Sequence, residues 1–99
     1  MGSGMVAGIL YALADPVRVA IVRELLREEK GMNCSATIAR IGIDLPKSTC
    51  SQHFRILRES GLIFSKWKGI ELSNHLRWQE LEKRFPGLVC SILKSYDRE

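Results

Sequence analysis

Lys47, Ser48, Ser51, Gln52 and Arg55 fall within nine residues of one another, with no acid among them. Together they offer hydroxyl, amide and cationic groups on short and long stems. That mixture suits base edges and phosphates, the chemistry of reading a nucleic acid. The charge distribution points the same way. Residues 46–68 hold Lys47, Arg55, Arg58, Lys66 and Lys68 against Glu59 alone, while the rest of the chain holds ten basic and ten acidic residues. The whole net charge of +4 therefore sits in one segment, which implies a polyanion met by one face. Catalytic patterns are missing. The sequence has no Gly-rich phosphate loop, no carboxylate pair in a cleft pattern, and no Cys/His or Ser/His/Asp arrangement supported by context, which argues against an enzyme.

The chain has 99 residues, 45% of them hydrophobic and 26% charged. That is one domain of ordinary globular composition. No run approaches the ~20 apolar residues of a membrane helix. No export signal is legible either. Residues 1–4, Met-Gly-Ser-Gly, read as a possible tag remnant. Cys34, Cys50 and Cys90 are odd in number and widely spaced. They fit a reducing cytoplasm rather than a disulfide framework.

The elements that must position the polar cluster can be read in order. Residues 5–13 form an apolar helix. Asp15-Pro16 starts a second, with Val17, Ala20, Ile21, Val22, Leu25 and Leu26 at helical spacing. Ser35 caps a short third helix that Gly42 closes. The fourth helix, about 45–60, starts at Asp44 or Leu45 and stops at Gly61. Its Cys50, Phe54 and Leu57 form one inward stripe, which leaves the polar cluster facing out. Residues 62–73 read as a hairpin turning at Lys68-Gly69. Ser73 or Asn74 caps a fifth helix. Pro86-Gly87 interrupts, and Leu88, Val89, Ile92, Leu93 and Tyr96 line a final helix.

Helix, helix, short helix, turn, helix, hairpin, helix is the order of a winged helix-turn-helix: mainly α with a small β-hairpin, a three-helix core plus wing, and flanking helices. A helix of this kind fits the major groove of B-DNA. A winged-helix module for protein assembly is the alternative, with the basic segment as a solvated face.

The segments Leu13–Leu26 (LADPVRVAIVRELL), Leu45–Ile63 (LPKSTCSQHFRILRESGLI) and the basic SKWKG from Ser65 to Gly69 resemble the ArsR-type winged-helix repressors over nearly the whole chain. The resemblance implies a homodimeric cytoplasmic regulator, in the repressor class, on a double-stranded operator. By it Lys47, Ser48, Thr49, Ser51, Gln52 and His53 read the major groove, with Arg55 beside them, and Lys66 and Lys68 are wing contacts. His53 has an equal alternative, a hydrogen bond inside the domain. The same resemblance implies dimerisation through residues 5–13 and 86–96, by way of Ile9, Leu10, Leu88, Val89, Ile92, Leu93 and Tyr96.

Two departures stand out. About two extra residues lie between Gly42 and Leu45. The ligand clusters of metal-sensing members are absent, so neither a metal nor another cofactor is expected, and the effector is unassigned. Cys50 and Cys90 read as core residues. Cys34, beside a helix N-terminus, is the best candidate for a reactive thiol. Trp67 reads as packing at the base of the wing, with stacking on DNA as the alternative.

Overall fold

Asp15 and Pro16 set the first corner of the chain. Asp15 is extended, and its carboxylate accepts the backbone N–H groups of Val17 at 2.8 Å and Arg18 at 3.3 Å. Two of the free amides at the start of α2 (Pro16–Arg27) are thereby satisfied, and Pro16 has no N–H to leave unpaired. The computed structural model describes residues 5–99, so the possible remnant at 1–4 lies outside the described residues. Around α2 it arranges α1 (Met5–Ala12), α3 (Cys34–Ile41), α4 (Lys47–Glu59), an antiparallel hairpin of β1 (Ile63–Lys68) and β2 (Glu71–Leu76), α5 (Trp78–Arg84) and α6 (Leu88–Asp97). The fold class is the expected one, mainly helical with a two-stranded wing. Among the described residues no single helix is long and apolar enough to cross a membrane.

Val19, Ile21, Val22 and Leu25 of α2 are buried in the middle of the core. They share it with Ile9 and Ala12 of α1, Phe54 and Leu57 of α4, Ile63 of β1, Leu81 of α5, and Val89 and Leu93 of α6. Polar anchors fix the last helix. The Tyr96 hydroxyl donates to the Leu13 carbonyl at 2.6 Å, and Arg23 donates to the Leu93 carbonyl at 2.6 Å while pairing with Asp97. One expectation changes as a result. Ile9, Val89 and Leu93, assigned from sequence to a face between two copies, are buried inside this chain instead. Leu10 is exposed, and Leu88, Ile92 and Tyr96 are half-buried.

Three element boundaries differ from the sequence reading. Asn33, not Ser35, caps α3 by accepting the Ala36 N–H at 2.7 Å, so Cys34 lies inside the helix. Pro46, not Asp44 or Leu45, precedes α4, and it supplies no side-chain cap. Ser73 and Asn74 do not cap a helix; they are buried in β2, and α5 begins only at Trp78. Asn74 is retained in the sheet because its backbone exchanges two hydrogen bonds with Met32, at 2.8 and 3.1 Å. The hairpin loop is Gly69-Ile70, one residue later than expected, with Lys68 opposite Glu71.

Gly31 makes the α2–α3 connection possible. Its φ is +82°, and a Cβ there would fall 2.5 Å from the His75 ring and 2.6 Å from the Ser73 hydroxyl. Positive φ and close approach both require glycine. Gly31→Ala is therefore expected to destabilise the fold by about 2–4 kcal/mol, read from urea midpoints. The same contact buries His75 Nε2 without a hydrogen-bond partner. Burial, reinforced by the charges of Lys66 and Lys68, pushes the His75 pKa below the ordinary histidine value. The unfolded chain takes up this proton near pH 6.5, where the folded chain does not. Stability is then complete above about pH 6.5 and declines as pH falls below it. His75→Gln should flatten that decline in denaturation curves collected across the acid range.

Candidate nucleic-acid interface

The outer surface of α4 carries Lys47, Ser48, Ser51, Gln52 and Arg55, all exposed. They are exposed because Phe54 and Leu57 turn the opposite stripe fully into the core. Cys50, expected on that inward stripe, is half-buried. Arg55 donates to Gln52 along the helix surface, so the amide and guanidinium present themselves as one group. The N-terminal end of α4 has no side-chain cap and no acid in its first turn. Its amides and dipole keep their attraction for an anion.

Thr49 is half-buried, and His53 turns inward. Arg18 Nη1 lies 3.2 Å from His53 Nδ1. A guanidinium carries only donors, so Nδ1 accepts and the ring proton sits on Nε2. Of the two readings for His53, the structure gives the internal one. Arg18 itself is 7% exposed. Its Nε donates to the Ala12 carbonyl at 2.7 Å and Nη2 to the Tyr11 carbonyl at 3.4 Å, while Asp15 lies 3.8 Å away. One side chain thus joins the end of α1, the start of α2 and the middle of α4. No periodicity rule singles out a buried arginine, and the sequence reading missed it.

A second chain of bonds holds the wing to α4. Arg58 donates to the Ser65 hydroxyl at 3.3 Å, Ser65 donates to Asn74 Oδ1 at 2.7 Å, and Asn74 Nδ2 donates to the Met32 carbonyl at 3.1 Å. On the far face of the hairpin Phe64 stacks on His75, and Arg77 lies over Phe64. The two wing lysines part company. Lys66 is exposed, whereas Lys68 folds back and donates to the Lys30 carbonyl at 2.7 Å. Trp67 is 68% exposed and does not pack at the wing base.

The sequence profile of the helix-turn-helix domain family matches residues 13–63. A curated relative, the HTH-type transcriptional regulator YceK of Bacillus subtilis, is 32% identical over 86 residues, spanning 87% of this chain and 84% of that protein. This chain belongs to the ArsR-like helix-turn-helix transcriptional regulators. The fold agrees with solved structures of that kind. An ArsR-like transcriptional regulator from Rhodococcus sp. RHA1 aligns with a TM-score of 0.71 and 26% identity, over 99% of this chain and 89% of the other. The transcriptional repressor BigR from Xylella fastidiosa aligns with a TM-score of 0.62 and 27% identity, over 84% and 88% respectively.

Within this ArsR-like regulator no group of three His, Cys, Asp or Glu side chains is placed to share a metal, among the described residues. Cys34 accepts a hydrogen bond from Asn74 Nδ2 at 3.5 Å. Burial pushes its thiol pKa up, against the lowering by that amide. The helix position that suggested a reactive thiolate is overridden by desolvation.

Arg18 has the largest structural stake in the α4 surface. Arg18→Met is expected to lower stability by about 2–4 kcal/mol, since three carbonyl and imidazole acceptors lose their donor. Arg18→Lys should recover little, because an ammonium lacks the planar fork. Thermal and urea unfolding of the two variants check both statements.

Proposed function

We propose that the chain binds double-stranded operator DNA as a homodimeric repressor, with α4 in the major groove and the hairpin as its wing. The observation that carries this reading is the acid-free exposed face of α4, from Lys47 to Arg55, ending in an uncapped helix N-terminus. Short side chains at Ser48 and Ser51 let the helix approach the base edges. Gln52, bonded to Arg55, offers the paired geometry that a bidentate base contact requires. Lys47 and Lys66 are the phosphate contacts. His53 and Thr49 support the helix rather than read from it.

The homodimer rests on the exposed apolar side chains of α1. Val6, Leu10 and Tyr11 are 42%, 49% and 62% exposed. Leu88, Ile92 and Tyr96 add the half-buried edge of α6. Two copies joined there would place two α4 helices about 34 Å apart, one turn of the duplex. The repressor role is proposed by analogy with BigR, described as a transcriptional repressor.

Selection of duplexes from a random pool, followed by anisotropy titration at several salt concentrations, tests the reading. Lys47→Ala and Lys66→Ala should weaken binding to all sequences and each flatten the log–log salt slope by about 0.9. Ser51→Ala and Gln52→Ala should leave the slope unchanged and cost about 1–3 kcal/mol of preference for the selected sequence. Absent or salt-insensitive binding would overturn the proposal in favour of a protein-interaction module.

A further inference from the structure

The tip of the hairpin displays apolar side chains where a wing that touches only phosphates needs cations. Ile70 is 98% exposed and Trp67 68%. The loop explains why Ile70 protrudes. Gly69 has φ +63° and Ile70 has no positive φ, the pattern of a two-residue type II′ turn with glycine first. The second loop position then points into solvent, and here it holds a β-branched apolar residue instead of a polar one. Register fixes where Trp67 looks. Ser65 and Trp67 of β1 share a face with Asn74 and Leu72 of β2. That is the face reached by Arg58 from α4. Trp67 therefore lies two residues further out on the side of the wing turned towards α4. Lys66 and Lys68 stand on the opposite face, and Lys68 is bonded to the Lys30 carbonyl.

We infer that Trp67 and Ile70 form an apolar wedge that enters the minor groove of the duplex read by α4 and presses against a base step there. The inference rests on the DNA-binding reading above and adds a second site of sequence preference to it. The occupant is fixed by continuity and charge. The wedge extends the α4 face, and Lys66 on the same hairpin, together with the excess positive charge of residues 46–68, draws a polyanion to it. A protein partner would account for the apolar tip but not for that concentration of charge. Apolar side chains inserted from the minor groove unstack a base step, and pyrimidine–purine steps yield most readily. The preference should therefore be for a TA or CA step at a fixed distance from the bases read by α4.

The experiment uses the full chain with Trp78→Phe, which leaves Trp67 as the sole tryptophan. A duplex selected from a random pool is titrated against this protein, against its Trp67→Ala derivative, and against Ile70→Ala. Circular dichroism confirms the fold of each, which these exposed positions should not disturb. Addition of duplex should quench Trp67 emission. Trp67→Ala should weaken binding about tenfold to a hundredfold with the salt slope unchanged, and should abolish the preference for the flexible step. Ile70→Ala should weaken binding about threefold to tenfold. Unchanged emission, or equal affinity of Trp67→Ala and its parent, would overturn the wedge and leave α4 as the sole reader. Failure of the parent to bind any duplex would overturn the wedge and the DNA-binding reading together.

Discussion

A guanidinium withdrawn from water must find compensation, and Arg18 finds it at the open end of another helix. The last carbonyls of a helix have no partner within it. In α1 those of Tyr11 and Ala12 accept hydrogen bonds from Arg18, and α1 has no basic residue of its own in its last turn. The negative end of one helix dipole is thus met by a cation rooted in the first turn of the next. Asp15 adds a carboxylate on one side, and the Tyr11 ring lies 5.4 Å from the guanidinium carbon on another. The third guanidinium nitrogen, Nη1, faces His53 in the middle of α4. Because the group is buried, its geometry admits little variation, and it ties α1, α2 and α4 together. The exposed row from Lys47 to Arg55 lies opposite the buried stripe of Phe54 and Leu57, and His53 adds a polar tie beside that stripe.

The wing is coupled to the same helix by a different logic. Arg58, Ser65, Asn74 and Met32 form a relay from the last turn of α4, across both strands, to the residue before the α3 cap. Asn74 is fully buried yet fully used. A buried amide with satisfied partners specifies one arrangement, because any slip of the hairpin would leave it unpaired. A register error of one residue would also carry Trp67 to the opposite face. Helix α4 and the hairpin are thereby held in one fixed relation by polar bonds as well as by the core that Leu57 and Ile63 share.

Much of this is legible in the sequence. Asp15-Pro16 announced a helix start, because a capping carboxylate and a proline at the first position are local effects. The charge imbalance of residues 46–68 announced a surface segment, because solvation keeps Lys47, Arg55, Lys66 and Lys68 outside. The readings that failed were those where a local preference met a distant partner. Ser73 and Asn74 are good cap residues, but the ladder to Met32 and Ser65 claims them. Ser35 lost its capping place to Asn33 once Met32 was tied to β2. Trp67 reads as packing at the wing base, yet the register of the hairpin carries it out towards the exposed tip. Arg18 gave no pattern at all, since its burial depends on where α1 ends.

The anchoring of α6 has a consequence for how the chain exists at low concentration. Ile9, Val89 and Leu93 are indoors, and Tyr96 and Arg23 fasten the last helix to the body. Among the described residues the core is closed by side chains of this chain itself. If two copies associate as proposed, contacts are added on the outside of a folded protomer, and folding and assembly would be separate equilibria. Dilution would dissolve the assembly before it touched the fold. Occupancy of a two-fold site would then follow the square of protomer abundance, which gives a cell a steep threshold from a protein that is folded throughout.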